Sequence, residues 1–387
     1  MPSPSFRRRY FPQASAKQWG DWRWQMQNAV QHWEALERFF PLTPEERAGC
    51  LAAQKHFRLR LTPYVLSLVD PHHPSCPIRR QAIPLPQEAH CIPGDLEDPL
   101  GEEKYRPVRA LLHRYADRAL LLCTDACPMY CRHCTRRRLT RGGNPLGEGE
   151  WARALDYIRA NPGIREVILS GGEPGLLADE VLEGLLKRLR DIKHVEIIRL
   201  GSRSPVTLPM RITPPFARML RRYAPLFVVT HFNHPKEVTP EAQRACARLV
   251  DAGVPVENQA VLLRGLNSSA RILEALFLAC LRMRVRPYYL HQMDVAQGAG
   301  HWRTPLRWGV GLMQELGARV SGLALPAFAV DLPGGGGKLR LAPEGVVAWG
   351  EKETLLKNPE GRHYSYPEPL EDDCHCPYDA IWTAPSH

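Results

Sequence analysis

Cys127, Cys131 and Cys134 stand at C-x3-C-x2-C spacing, close enough on one short loop for three thiolates to converge on one metal centre. Three ligands on a four-iron cubane leave one iron without a protein ligand, open to a small molecule. A zinc ion is the alternative, with His133 as a fourth ligand and the arginines after it turned to nucleic acid. Spacing alone leaves both readings open. Ser170-Gly171-Gly172-Glu173-Pro174 is the second feature. Consecutive glycines let a backbone approach the amino and carboxylate groups of an amino-acid ligand, although Gly-Gly is also common turn punctuation. Pro333-Gly334-Gly335-Gly336-Gly337-Lys338 is the third. It is no phosphate loop, because Leu332 stands where the first glycine belongs and Leu339 replaces the Ser/Thr that would bind magnesium. Its plain reading is a flexible turn ending in a solvated lysine.

The elements around these residues place them at related positions. From residue 119, β-rich runs alternate with amphipathic segments: 119–124 then 150–160, 166–170 then 180–192, 195–200 then 214–223. The series continues with 226–231 then 241–252, 256–262 then 270–283, and 287–291 then 306–320. Six β-then-α units predict a parallel sheet with helices outside, either doubly wound or a partial barrel. Both architectures put chemistry at the C-terminal ends of strands. The cysteine loop follows the first predicted strand and Ser-Gly-Gly-Glu-Pro ends the second. Cys123, on the first strand, reads as a buried structural thiol. Residues 1–60 read as helical, with aromatic positions at three- and four-residue steps over 19–40. Residues 62–108 read as an extended, loop-like connection. Beyond 327 the pattern predicts Gly-rich turns, short strands and a polar tail.

Composition sets bounds. The chain has 387 residues, a net charge of +10 and eleven cysteines, and arginines outnumber lysines by 42 to nine. Hydrophobic content of 44% excludes wholesale disorder. The absence of a long apolar run or signal peptide predicts a cytoplasmic protein without a membrane span. Odd cysteine number argues against a disulfide scaffold. The arginine excess suits nucleic acid, a phosphate-bearing cofactor or a carboxylate substrate.

The cysteine loop together with Ser-Gly-Gly-Glu-Pro resembles the radical S-adenosylmethionine enzymes. That likeness implies a 4Fe-4S cluster on Cys127, Cys131 and Cys134, and S-adenosylmethionine beside Ser170, Gly171, Gly172 and Glu173. In such an enzyme a lysine on a mobile loop can form a Schiff base with pyridoxal phosphate and swing aside for the substrate. With both sites in view the chain resembles the lysine 2,3-aminomutase family. The likeness runs from Phe6-Arg7-Arg8-Arg9-Tyr10-Phe11-Pro12 through His113-Arg114-Tyr115 to Tyr364-Ser365-Tyr366-Pro367-Glu368-Pro369. It implies a partial (βα)6 barrel over 109–325, a helical extension over 1–108, and a segment over 326–387 that carries the cofactor lysine and an oligomerisation tail. It further implies pyridoxal phosphate on Lys338, with Arg114, Tyr115 and Arg118 at its phosphate and ring. His231 and Gln259 would lie beside S-adenosylmethionine. Arg136 would bind the substrate carboxylate, and Asp294 and Asp331 a distal ammonium. The implied reaction is 2,3-amino migration between α-lysine and β-lysine. Lysine, an electron donor such as flavodoxin or ferredoxin, and further copies of the chain would be its partners, with no nucleic acid.

Two departures stand out. Family members often carry a zinc site of C-terminal cysteines and a thiol from a neighbouring subunit. Here Cys374 and Cys376 remain, Asp379 stands near the third position and Ser269 at the donated one. His291, where tyrosine is usual in the family, leans toward the branch that makes β-lysine for elongation factor P. From a different class, a zinc-bound, arginine-rich nucleic-acid module predicts a colourless protein with salt-sensitive binding.

Overall fold

The computed structural model describes residues 4–53, 58–140, 146–341, 346–357, 362–369 and 373–377. Its main sheet has nine strands in sequence order: β1 (Leu111–Tyr115), β2 (Arg118–Thr124), β3 (Glu166–Gly171), β4 (Ile197–Gly201), β5 (Leu226–Thr230), β6 (Val256–Leu262), β7 (Arg286–Gln292), β8 (Ala327–Leu332) and β9 (Gly337–Arg340). β2 to β8 run parallel, while β1 and β9 add antiparallel hairpins at the two ends. The ends do not pair with each other, so the sheet is an open partial barrel. β2 to β7 are the six expected strands. β8 is a seventh parallel strand, lying where the pattern predicts only turns and short strands.

Helix starts and faces explain the alternation. Thr213 and Thr239 each precede a proline, and their hydroxyls accept the N–H of Phe216 at 3.3 Å and Ala242 at 3.1 Å. Proline at the first helical position forfeits only an unused donor, and a threonine cap is worth about 1 kcal/mol. The helix Asp179–Arg190 buries Leu182, Leu185, Leu186 and Leu189, a stripe at helical spacing laid on the sheet. In β6 the period is two: Val256, Ala260 and Leu262 enter the helix–sheet core, whereas Gln259 and Val261 face the barrel interior.

The N-terminal region is helical, in short pieces. Residues 16–38 form the helices Ala16–Trp19 and Trp22–Gln27 and a 3-10 helix, Trp33–Arg38. Asp21 interrupts the run by accepting the N–H of Arg23 at 2.7 Å, which starts a new helix. The aromatic period serves packing between these pieces: the Phe11 ring lies 5.6 to 6.5 Å from those of Phe6, Trp19, Trp24 and Phe39. Residues 62–108 are not an extended connection. They form the helices Pro63–Leu68 and Pro77–Ala82 and short 3-10 turns, with Tyr64, Ile78 and Gln81 buried. A small antiparallel sheet of β10 (Val346–Ala348), β11 (Glu353–Lys357) and β12 (His363–Pro367) packs Leu356 and Tyr366 against Leu332 and Leu339. Among the described residues no helix is long and apolar enough to cross a membrane.

Candidate functional site

The barrel interior, from the strand starts to their C-terminal ends, holds a cavity of about 580 Å³. Arg114, Tyr115, Arg118, Arg136, Ser170, His231, Gln259, Asp294, Asp331 and Lys338 all line it. Lys338 sits opposite Asp331 in the β8–β9 ladder, so the hairpin register alone brings their side chains together. Its Nζ lies 2.5 Å from Asp331 Oδ2 and 3.1 Å from His291 Nδ1. The lysine is therefore on a strand rather than on a mobile loop. The preceding turn is also fixed: Gly334 donates to the carbonyl of Pro99, and Tyr105 Oη donates to that of Gly335 at 3.1 Å. Gly334, Gly335 and Gly337 have φ of +63°, +87° and +102°, which is why the turn is built of glycine.

A cationic corner faces this hairpin from β1. Arg114 Nη2 lies 3.9 Å from where a Cβ on Gly337 would stand. Arg114 Nε and Nη2 are buried and meet no hydrogen-bond acceptor in the protein. The Arg118 guanidinium covers the Tyr115 ring at 3.9 Å. Buried donors left open in this way fit a multivalent anion, so the chemistry of this corner suits the phosphate of pyridoxal phosphate.

Asp294 and Asp331 give the same cavity an acidic corner. Asp294 accepts a hydrogen bond from Thr135 Oγ1 at 2.7 Å. Burial, then the charge of Asp331, pushes the Asp294 carboxyl up to about 7. Burial pushes Asp331 upward too, but Lys338 and His291 hold it below the usual carboxylate range. Burial and then the Lys338 charge keep His291 neutral, and burial and then Arg203 bring His231 down to about 4. Arg136 donates through Nε to Glu102 Oε1 at 2.7 Å. Glu102, in the supposed connection, and the contact of His291 with the lysine leave no signal in the sequence.

The three cysteines line a separate recess of about 50 Å³ with Arg58 and Tyr130. Thr135 and Arg136, directly after Cys134, carry the chain from this recess into the cavity. Burial first and the neighbouring thiols second raise Cys127 and Cys134, a penalty on the thiolates that iron coordination would offset. His133, the alternative zinc ligand, sets Nε2 3.2 Å from Asn233 Nδ2. Nε2 of His133 is thus engaged by Asn233, and the three thiols share one recess. Cys123 is buried on β2, and burial pushes its thiol up to about 12.

The glycines of Ser-Gly-Gly-Glu-Pro also have a packing reason. A Cβ on Gly171 would stand 2.6 Å from the carbonyl oxygen of Thr124, and one on Gly172 would collide with that of Ala126. They let β3 pack against the cysteine loop. Glu173 is buried, accepting from Ser202 Oγ at 2.6 Å, the N–H of Arg203 at 2.7 Å and that of Gly175 at 2.9 Å. Of this motif, Ser170 lines the cavity. Arg203, missed in the sequence, joins several elements. Its guanidinium donates to Cys131 Sγ, Gln81 Oε1 and Glu237 Oε1, each at 2.6 Å, and to the His231 carbonyl at 3.0 Å. Its position just past the end of β4 was the available signal. Cys374 and Cys376 lie in a segment docked on the loop after β6: Cys376 Sγ donates to the Leu266 carbonyl and Ser268 Oγ to that of Cys374. Asp379 lies outside the described residues.

The radical SAM superfamily model matches residues 121–276, and the lysine-2,3-aminomutase model matches 313–382. The L-lysine 2,3-aminomutase of Clostridium subterminale is 46% identical over 374 residues, covering 95% of this chain and 90% of the relative. The chain belongs to the lysine 2,3-aminomutase family. The Bacillus subtilis L-lysine 2,3-aminomutase is 45% identical over 91% of this chain and 75% of its own length. The glutamate 2,3-aminomutase of Clostridioides difficile is 39% identical over 89% of this chain and 82% of its own. This radical S-adenosylmethionine aminomutase is an isomerase, and its superfamily domain brings a 4Fe-4S cluster and S-adenosylmethionine to the cavity's chemistry.

Proposed function

We propose that this aminomutase interconverts L-α-lysine and L-β-lysine. Pyridoxal phosphate attaches to Lys338, the cluster to Cys127, Cys131 and Cys134, and S-adenosylmethionine lies beside Ser170, Gly171, Gly172, Glu173, His231 and Gln259. The observation that carries the choice of lysine is the acidic corner. There a primary ammonium, that of Lys338, lies 2.5 Å from Asp331, with Asp294 in the same cavity. The ε-ammonium of a substrate has the same chemistry, whereas a glutamate side chain would meet two carboxylates.

The bound groups supply an electrophilic carbonyl for the α-amine and a carbon radical for hydrogen abstraction. The chain supplies position and charge. Arg114, with its open donors, and Arg118 hold the phosphate beside Tyr115. Arg136 keeps Nε on Glu102 and offers its Nη groups to the substrate carboxylate. His291 Nδ1, 3.1 Å from Lys338 Nζ, accepts a hydrogen bond from it and, with Asp331, holds the lysine in position. The enclosing strands shield the reacting carbon from water. An electron donor such as flavodoxin or ferredoxin reduces the cluster, and copies of the chain assemble in the cytoplasm.

Anaerobically reconstituted and reduced protein, given S-adenosylmethionine and L-lysine, is expected to yield β-lysine and to leave L-glutamate unchanged. Loaded protein that forms no β-lysine, or that prefers glutamate, overturns the reading. Lys338→Ala is expected to retain iron–sulfur absorption while losing the pyridoxal band and turnover.

A further inference from the structure

Arg203 touches a cluster cysteine, the carbonyl of a cavity residue and the N-terminal extension together. Its side chain is 11% exposed, and that of its partner Glu237 is 3%. The carboxylate is itself fixed, since Oε2 accepts the N–H of His234 at 3.0 Å and Oε1 the side-chain amide of Gln81 at 3.0 Å. The arginine backbone is held as well, by Glu173. Such a cation cannot turn aside, and a fixed charge in a poorly solvated place acts strongly on its neighbours.

We propose that Arg203 sets the reduction potential of the cluster through its contact with Cys131, and that Glu237 tempers it. Reduction adds one electron to a cluster already made negative by its thiolates. A guanidinium on one sulfur stabilises that extra charge and moves the potential in the positive direction. Glu237, ion-paired to Arg203 at 2.6 Å, offsets part of the effect. Arg203 is a positioning and tuning residue in this account. The inference rests on the cluster being held by Cys127, Cys131 and Cys134.

The test is a redox titration, followed by electron paramagnetic resonance, of reconstituted protein without lysine. Arg203→Met is expected to shift the midpoint to more negative potential, with a roughly tenfold lower reduced-to-oxidised ratio at fixed poise, about 59 mV for one electron. Arg203→Lys, which keeps the charge, is expected to fall between it and the parent. Glu237→Gln is expected to shift the midpoint the opposite way. A loss of packing alone does not produce opposite signs from the two partners. An unmoved midpoint in loaded Arg203→Met overturns the proposal. If that variant takes up no cluster, Glu237→Gln decides: a less negative midpoint supports it and an unchanged one sinks it. A parent protein that binds no cluster would instead overturn the cysteine assignment.

Discussion

Asp294 titrates where an enzyme is assayed, because burial and the Asp331 charge bring it to about 7. Below that pH the acidic corner holds one negative charge, and above it two. Only the ionised form attracts an ammonium, so KM for lysine is expected to fall as pH rises from 6 to 8. Steady-state kinetics across that range check this, and Asp294→Asn should flatten the profile. Losing one charge-assisted contact of about 1.5–3 kcal/mol corresponds to a roughly 10- to 100-fold rise in KM for that variant. Much of this corner was legible in the sequence as single residues. Lys338, Asp331, Asp294, Arg136 and Arg114 were all singled out, and the fold gathers them in one cavity. Their pairings were not legible. That Asp331 meets Lys338, and Arg136 meets Glu102, follows from strand register and a turn 34 residues away, and neither leaves a local pattern.

Elements were legible where a single period governs them. β6 and the leucine stripe of Asp179–Arg190 follow periods of two and about 3.6 without interruption. β8 was legible as a short strand but not as a seventh member of the parallel sheet, because its pairing with β7 leaves no local pattern. The aromatic N-terminal run showed helix but not its breaks, because its rings pack between short helices. Gly171 and Gly172 show how a motif can be found for an incomplete reason, since their missing side chains make room for the cysteine loop as well as any ligand. Gly172→Ala would drive a Cβ into a rigid carbonyl, at a cost of roughly 1–3 kcal/mol. Iron and sulfide per chain after reconstitution are expected to drop, while circular dichroism stays close to that of the parent.

At the scale of the whole molecule, part of the arginine excess is paired within the protein. Arg79 pairs with Glu46, Arg132 with Glu88, Arg138 with Asp98 and Glu102, Arg203 with Glu237 and Arg303 with Asp95. Composition could not reveal this, because it counts charges without their partners. Arg79 also donates to the carbonyls of Pro41 and Pro71, tying the N-terminal extension together. Arg79→Ala would strand a buried carboxylate and is expected to cost roughly 3–5 kcal/mol, measured by denaturant unfolding. The sheet's two ends carry a further consequence. Arg114 lies on the first of nine strands and Lys338 on the ninth, one on each lip of the seam where the barrel stays open. A molecule gripped by both becomes the missing stave of the barrel. Saturation at a hundredfold above Kd would then add about 2.7 kcal/mol to the stability of the folded protein. Pyridoxal phosphate should accordingly slow hydrogen exchange in β1 and β9, the lips themselves, more than in β4 and β5 at the back.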